Sequence, residues 1–151
     1  MNSTSLLNME QVLDIRLPEN LRQLWLAYPE DMAAARCDYF SDDPEWLLGQ
    51  NQMLREDPAS FFGMTAWPAH YIVIGEDGNG NAFFVDLQRP GPVFRLDHAA
   101  PDQPALPVAA SPAEWILWVR ARLAEDEQNA AQLRENEAKR KAAKKPWWKF
   151  W

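Results

Sequence analysis

The sequence predicts an α+β fold, a single domain in which a small, mostly antiparallel or mixed sheet packs against helices, with a long exposed C-terminal helix. Three observations support this class. The N-terminal part spaces its apolar residues as helices do, the middle holds short β-rich runs between turn residues, and the C-terminal part consists of strong helix formers. A chain of 151 residues suits one domain, whose core buries about two-thirds of the unfolded surface.

Three helical segments are predicted in the N-terminal part. The first is short and covers residues 8–16. The second has Pro18 in its first turn and ends before the next proline, because proline suits the start of a helix and not its interior. Its apolar stripe consists of Leu21, Leu24, Trp25 and Tyr28. The third covers 44–54 and follows an N-cap at Asp42 or Asp43.

Four strands are predicted after these helices. His70–Gly75 is a continuous apolar run, which is typical of a central strand. Asn81–Leu87 and Pro92–Asp97 are the second and third strands, and Leu106–Ala109 is a short edge strand. Their enrichment in β-branched and aromatic residues favours strands over helices.

The stretch between the first two strands carries Asp77, Asn79 and Asn81 at alternate positions, as a calcium-binding loop does. The rest of that loop pattern fails, because Ala82 replaces the required glycine and Gln88 replaces the terminal glutamate. The stretch is instead rich in residues that tolerate positive φ, as tight hairpin turns require. A hairpin turn is therefore predicted, and no metal is assigned.

A long helix is predicted to begin at Ser111, with Pro112 at its first position and Glu114 at its third, as in a capping box. Its inner stripe consists of Trp115, Ile116, Val119 and Leu123. Beyond this stripe the helix is expected to continue, exposed, toward Lys145 and to end at Pro146.

Charge divides the chain into two segments. Residues 1–127 hold eight arginines and twenty acids, a net charge of −12, whereas residues 128–151 carry a net charge of +5. We expect an α+β domain in the first segment and a basic helical extension with a Trp-rich tail in the second. An acidic domain disfavours nucleic acid as a partner and favours a basic protein. The alternative is that the acidic surface only maintains solubility.

Neither membrane insertion nor catalysis is expected. No apolar run approaches the ~20 residues that cross a bilayer, and the N-terminus lacks the basic start of a secretory signal, so a cytoplasmic location is predicted. His70 and His98 have no ligand or nucleophile near them in sequence, and Cys37 is interpreted as a core residue. We predict that the protein is not an enzyme and uses no metal or cofactor.

Several of these features occur in an order typical of one superfamily. LPENLRQLW opens a helix, WPAHYIVIGEDGNGNAFFVDL covers the hairpin, and GPVFRLDH and ASPAEWI follow. Over roughly residues 10–122 this pattern resembles the SUKH superfamily, named in part for fungal cell-wall assembly regulators. The matching positions are Leu17, Pro18, Trp67, Pro68, Ile74, Gly75, Asp77, Gly78, Gly80, Asn81, Asp86, Val93, Asp97, His98, Ser111 and Trp115. Residues 28–31 depart from the family, which has an Asn-Gly pair there, and residues 30–66 match loosely.

The resemblance implies a SUKH-like binding module. Bacterial members look like immunity proteins of polymorphic or contact-dependent toxin systems, which bind a cognate toxin domain, often a nuclease, and neutralise it. Fungal relatives act as scaffolds in cell-wall signalling. We therefore expect an immunity protein whose acidic domain covers a basic surface of a toxin.

The residues predicted to bind this partner are acidic, namely Asp38, Asp42, Asp43, Glu45, Glu56, Asp57, Glu76 and Asp77. Interface charges act collectively, so the prediction concerns the group. For a single residue the structural alternative is stronger, since Asp43 would cap a helix and Asp77 would close a turn.

The chain ends in KKPWWKFW, a composition that is typical of membrane interfaces, partner anchors or self-docking segments. The residues assigned to such a contact are Lys144, Lys145, Trp147, Trp148, Lys149, Phe150 and Trp151. This tail provides the alternative function, a scaffold or adaptor associated peripherally with the membrane or cell envelope.

Overall fold

The computed structural model describes residues 1–35, 38–101 and 103–143. Within these ranges the chain forms six helices and one sheet. The helices are α1 (Ser3–Leu13), α2 (Glu19–Leu26), α3 (Glu30–Ala34), α4 (Pro44–Glu56), α5 (Pro58–Phe62) and α6 (Pro112–Ala143). The strands are β1 (Tyr71–Glu76), β2 (Ala82–Asp86), β3 (Val93–Leu96) and β4 (Leu106–Ala109). They pair antiparallel in the order β1-β2-β3-β4. The predicted α+β class, with its small sheet and long C-terminal helix, is confirmed.

The chain separates into two compact units, Met1–Val119 and Arg120–Trp151. The first unit contains the whole sheet and the first turns of α6. In the second unit, the described part of α6 is mostly exposed. The division that charge predicts, after residue 127, stays a prediction.

Capping groups explain where the short helices begin. α1 begins earlier than predicted because the Asn2 side chain accepts a hydrogen bond of 2.9 Å from the Ser5 N–H. Pro18 is the N-cap of α2 and does not lie in its first turn. The sequence prediction lacks α3 and α5, because helices of five residues are too short to show a periodic pattern.

Residues 38–41 run along the outer edge of β1. Two backbone hydrogen bonds join them, from the Glu76 N–H to the Asp38 carbonyl at 2.8 Å and from the Ser41 N–H to the Ile74 carbonyl at 2.9 Å. This irregular segment therefore covers an edge that would otherwise expose unpaired backbone groups.

Gly75 and Asn51 complete this edge. A Cβ at position 75 would lie 2.1 Å from the Tyr39 carbonyl oxygen, so only glycine permits the close approach. The buried Asn51 side chain donates to the Val73 carbonyl at 3.0 Å and accepts from the Val73 N–H at 2.9 Å. Both backbone groups of Val73 are thus satisfied by a helix side chain.

The sheet buries both faces against aromatic and aliphatic side chains. On one face, a cluster joins the helices to the sheet through Leu54, Phe62, Trp67, Val73, Phe84 and Leu96. On the other face, the ring of Phe83 lies 4.7 Å from that of Trp115 at the start of α6. Each fully buried side chain of this size contributes about 1.5–3 kcal/mol to stability.

The start of α6 follows the predicted capping box with one difference. The Ser111 hydroxyl accepts from the Glu114 N–H at 3.2 Å, as expected. The Glu114 carboxylate, however, accepts from the N–H of Ala110 at 2.9 Å, one residue before the cap. None of the helices within the described ranges combines the length and the apolar character that a membrane span requires.

Candidate partner-binding surface

The fold places the eight predicted acidic residues in three groups. Asp42, Asp43 and Glu45 lie at the start of α4, Glu56 and Asp57 lie where α4 ends and α5 begins, and Asp38, Glu76 and Asp77 lie at the end of β1. The third group is brought together by the pairing of residues 38–41 with the edge of β1. A role of all eight in binding a partner stays a prediction.

Two of the acids cap helices. Asp43 accepts hydrogen bonds from the N–H groups of Glu45 at 2.9 Å and Trp46 at 3.1 Å, which confirms it as the cap of α4. Asp57 caps α5, and hydrogen bonds from the Ser60 side chain and backbone lower the pKa of this carboxyl. These carboxylates therefore have structural roles whatever else they do.

Asp77 organises the turn between β1 and β2. One of its oxygens accepts from the N–H groups of Asn79 and Asn81, at 2.9 and 3.2 Å, and the other accepts from the Asn81 amide at 2.6 Å. Arg95 lies 3.5 Å from the same carboxylate. Burial would raise the pKa of Asp77, but these hydrogen bonds and Arg95 outweigh it and lower the pKa.

The predicted hairpin is therefore confirmed, because the alternating residues of the calcium-like pattern bond to one another across the turn. Among the described residues, no three His, Cys, Asp or Glu side chains are grouped so that they could hold a metal ion.

His98 is fixed to the same turn. Its backbone N–H and its Nδ1 both lie 3.0 Å from the Asn81 side-chain oxygen. With the amide in this orientation, Nδ1 is the donor of this hydrogen bond. A Cβ at Gly80 would lie 3.4 Å from the imidazole ring, and the φ of +89° also favours glycine there. Asp77, Asn81 and His98, three positions of the family pattern, thus form one hydrogen-bonded unit.

Asp86 has a comparable structural role at the end of β2. Its side chain is only 3 % exposed, and it accepts from the Gln88 N–H at 2.9 Å and from Arg89 Nε at 2.8 Å. His70 Nε2 lies 3.8 Å from Asp86 Oδ1, the oxygen that also accepts from the Gln88 N–H. Burial would raise the pKa of Asp86, but the hydrogen bonds and the positive charge of Arg89 lower it.

Glu76 differs from these carboxylates. Partial burial raises its pKa, and the charges of Asp38 and Asp77 raise it further. Within the described part of the chain, its carboxylate has neither a hydrogen-bond donor nor an ion-pair partner. Among the described residues, nothing therefore offsets the burial of the ionised form of this side chain.

An open pocket of about 230 Å³ lies beside Glu76, between α4, α5 and the β1–β2 hairpin. The lining residues that can contact a ligand through aromatic or polar groups are Trp46, Gln50, Phe61, Phe62, Glu76 and His98. Of the eight predicted acids, Glu76 alone lines it.

Sequence reasoning missed most of this pocket. Phe61 lies in the unpredicted helix α5 and remains 42 % exposed.

The buried role of Asn51 was also not predicted, although the sequence carried one signal of it. Asn51 follows Leu47 by four residues and precedes Leu54 by three, so a polar side chain interrupts the apolar stripe of α4. Such a residue indicates a buried hydrogen bond.

The tail residues assigned to a membrane or partner contact, Lys144, Lys145, Trp147, Trp148, Lys149, Phe150 and Trp151, lie outside the described residues. Cys37 also lies outside them. Both assignments stay predictions.

The closed edge of β1 and the hydrogen-bonded hairpin define a small α+β module with the features expected of the SUKH superfamily. The profile of the SMI1 / KNR4 family (SUKH-1) matches residues 2–118, and the chain belongs to this family. No curated protein matches the chain. Membership is consistent with an immunity or regulatory protein that binds a partner protein, and the family is generally non-enzymatic.

Proposed function

We propose that this protein is an immunity protein, which binds a cognate bacterial toxin domain and neutralises it without catalysis. The observation that carries the proposal is the grouping of Asp38, Glu76 and Asp77 beside an aromatic pocket, in a member of the SUKH-1 family. The proposal places this event in the cytoplasm, where a toxin that enters the cell would act.

The charge of the domain supports a basic partner. Residues 1–127 carry a net charge of −12, and a nuclease domain presents a basic surface that binds phosphates. Complementary charge of this kind accelerates association, toward about 10⁸–10⁹ M⁻¹s⁻¹ at low salt, and rejects wrong partners. Neutralisation then follows from occupancy, because a toxin surface covered by an acidic domain cannot bind its nucleic acid.

The proposal is tested by purifying the tagged full-length chain from its native cells and identifying co-eluting proteins by mass spectrometry. The expected result is a stoichiometric protein that contains a toxin domain, and whose retention falls as salt rises. The matched control is the same chain without residues 146–151. If only membrane or cell-envelope proteins co-elute, and deletion of the tail removes them, the scaffold function replaces this proposal.

A further inference from the structure

The pocket beside Glu76 combines two chemical features, aromatic rings and a carboxylate. Trp46 on α4 and Phe61 on α5 supply aromatic groups, and Glu76 at the end of β1 supplies a carboxylate. The three come from separate elements, so packing of the helices on the sheet fixes the opening between them.

The size and charge of this pocket narrow the class of occupant. Small-molecule sites occupy about 300–1,000 Å³, and this pocket of about 230 Å³ is smaller and open. The charges of Asp38 and Asp77 near Glu76 disfavour a phosphate or another carboxylate. These two features favour one cationic side chain presented by a larger molecule.

We propose that the pocket receives the guanidinium group of an arginine from the partner protein, with Trp46 and Phe61 against its faces and Glu76 bound to its edge. A guanidinium is planar, stacks on aromatic rings and donates in pairs to a carboxylate, which an ammonium group does not do. The inference rests on the proposed function for the identity of the partner, but the pocket chemistry can be tested without that partner.

Glu76 has no partner within the described residues, so its carboxylate is available to select a cationic ligand. Asp77 already accepts three hydrogen bonds and lies beside Arg95, so its charge is largely satisfied inside the fold. Glu76 has no such donors there. An incoming guanidinium would provide the donors that this carboxylate lacks, and arginine is enriched among the residues that dominate binding energies.

The test uses the full chain, labelled with ¹⁵N, and three small probes observed by NMR. The probes are the N-acetyl methylamides of arginine, of lysine and of citrulline, which is the neutral isostere of arginine. The arginine probe should shift the Trp46 indole N–H and the amides of Gly75 and Gly80, which line the pocket, in a saturable way. The citrulline probe should produce at least about fivefold smaller shifts at the same concentration, because it lacks the charge.

Two variants test the assigned contacts. Glu76→Gln should weaken the arginine probe about three- to tenfold, and Phe61→Leu about twofold to fivefold, with the dispersed spectrum of the folded protein retained. The matched control is Glu30→Gln, which removes one exposed negative charge from α3 and should leave the affinity unchanged. Equal binding of citrulline, tighter binding of the lysine probe, or an unchanged affinity in Glu76→Gln would each overturn the proposal.

The two proposals fail in different ways. If the arginine probe binds as described but no toxin co-purifies with the chain, the immunity function fails and the pocket assignment stands. If a toxin co-purifies and Glu76→Gln binds it as tightly as the unaltered chain does, the pocket assignment fails and the immunity function stands.

Discussion

Substitution of Gly75 by alanine tests whether residues 38–41 must lie against β1. The added Cβ would lie 2.1 Å from the Tyr39 carbonyl oxygen, whereas real contacts essentially never fall below 3.0 Å. The segment must therefore retreat by roughly 1 Å, and the Glu76–Asp38 backbone hydrogen bond of 2.8 Å would be lost or weakened. Overpacking costs about 1–3 kcal/mol and the loss of one backbone hydrogen bond about 1 kcal/mol, so we expect a loss of about 2–4 kcal/mol.

The assay is thermal and urea unfolding of the full chain. For a protein of this size, 1 kcal/mol lowers Tm by about 2–4 °C, so Gly75→Ala should lower Tm by about 5–15 °C. The matched control is Gly49→Ala in α4, where a Cβ meets nothing within 4 Å. Alanine there should stabilise the protein by about 0.5–1 kcal/mol through helix propensity. If the two variants had equal stability, the close approach at Gly75 would not exist as described.

Three further predictions concern stability and binding. Asn51→Leu should destabilise the fold by about 2–5 kcal/mol in urea, because it leaves both backbone groups of Val73 unpaired; a loss below about 1 kcal/mol would contradict the buried bridge. Glu76→Gln should raise Tm at pH 7 and leave it unchanged at about pH 3. The raised pKa of Glu76 means that its protonated form stabilises the fold. This contribution is fully present below the ordinary glutamate pKa and is lost as pH rises through the raised pKa of Glu76. The other charged or titratable groups near Glu76 are Asp38, Asp77, Arg95 and His98. An equal Tm change at both pH values would contradict that cause. Reversing the charges of Asp42 and Glu45 leaves the helix cap at Asp43 in place. This change should slow association with the partner at low salt more than reversing the charges of Glu19 and Glu30, which is the control. Equal association rates would remove the start of α4 from the interface.

Local sequence signals predicted the parts of the fold that depend on neighbouring residues. The hairpin at Asp77, the caps at Asp43 and Ser111, and the antiparallel strands each follow from residues a few positions apart. The structure confirms them because turn and cap chemistry is decided within one or two turns of chain.

The parts that the sequence did not predict depend on contacts between distant residues. Gly75 was part of the family pattern, but the sequence did not show why glycine is needed there. The cause is the close approach of the Tyr39 carbonyl, which lies more than thirty residues away in the chain. Asn51 and Val73 are separated by 22 positions, and only the packing of α4 on the sheet brings them together. The pocket likewise needs α4, α5 and β1 in place before Trp46 and Glu76 can be recognised as neighbours.

The measurement that tests neutralisation by binding most directly is a titration of the purified chain into its co-purified toxin domain, with the toxic activity as the signal. We expect the activity to fall in proportion to the chain added and to be abolished at one chain per toxin domain, with weaker inhibition by Glu76→Gln at matched concentration. A complex that forms at this ratio and leaves the activity intact would contradict neutralisation by binding.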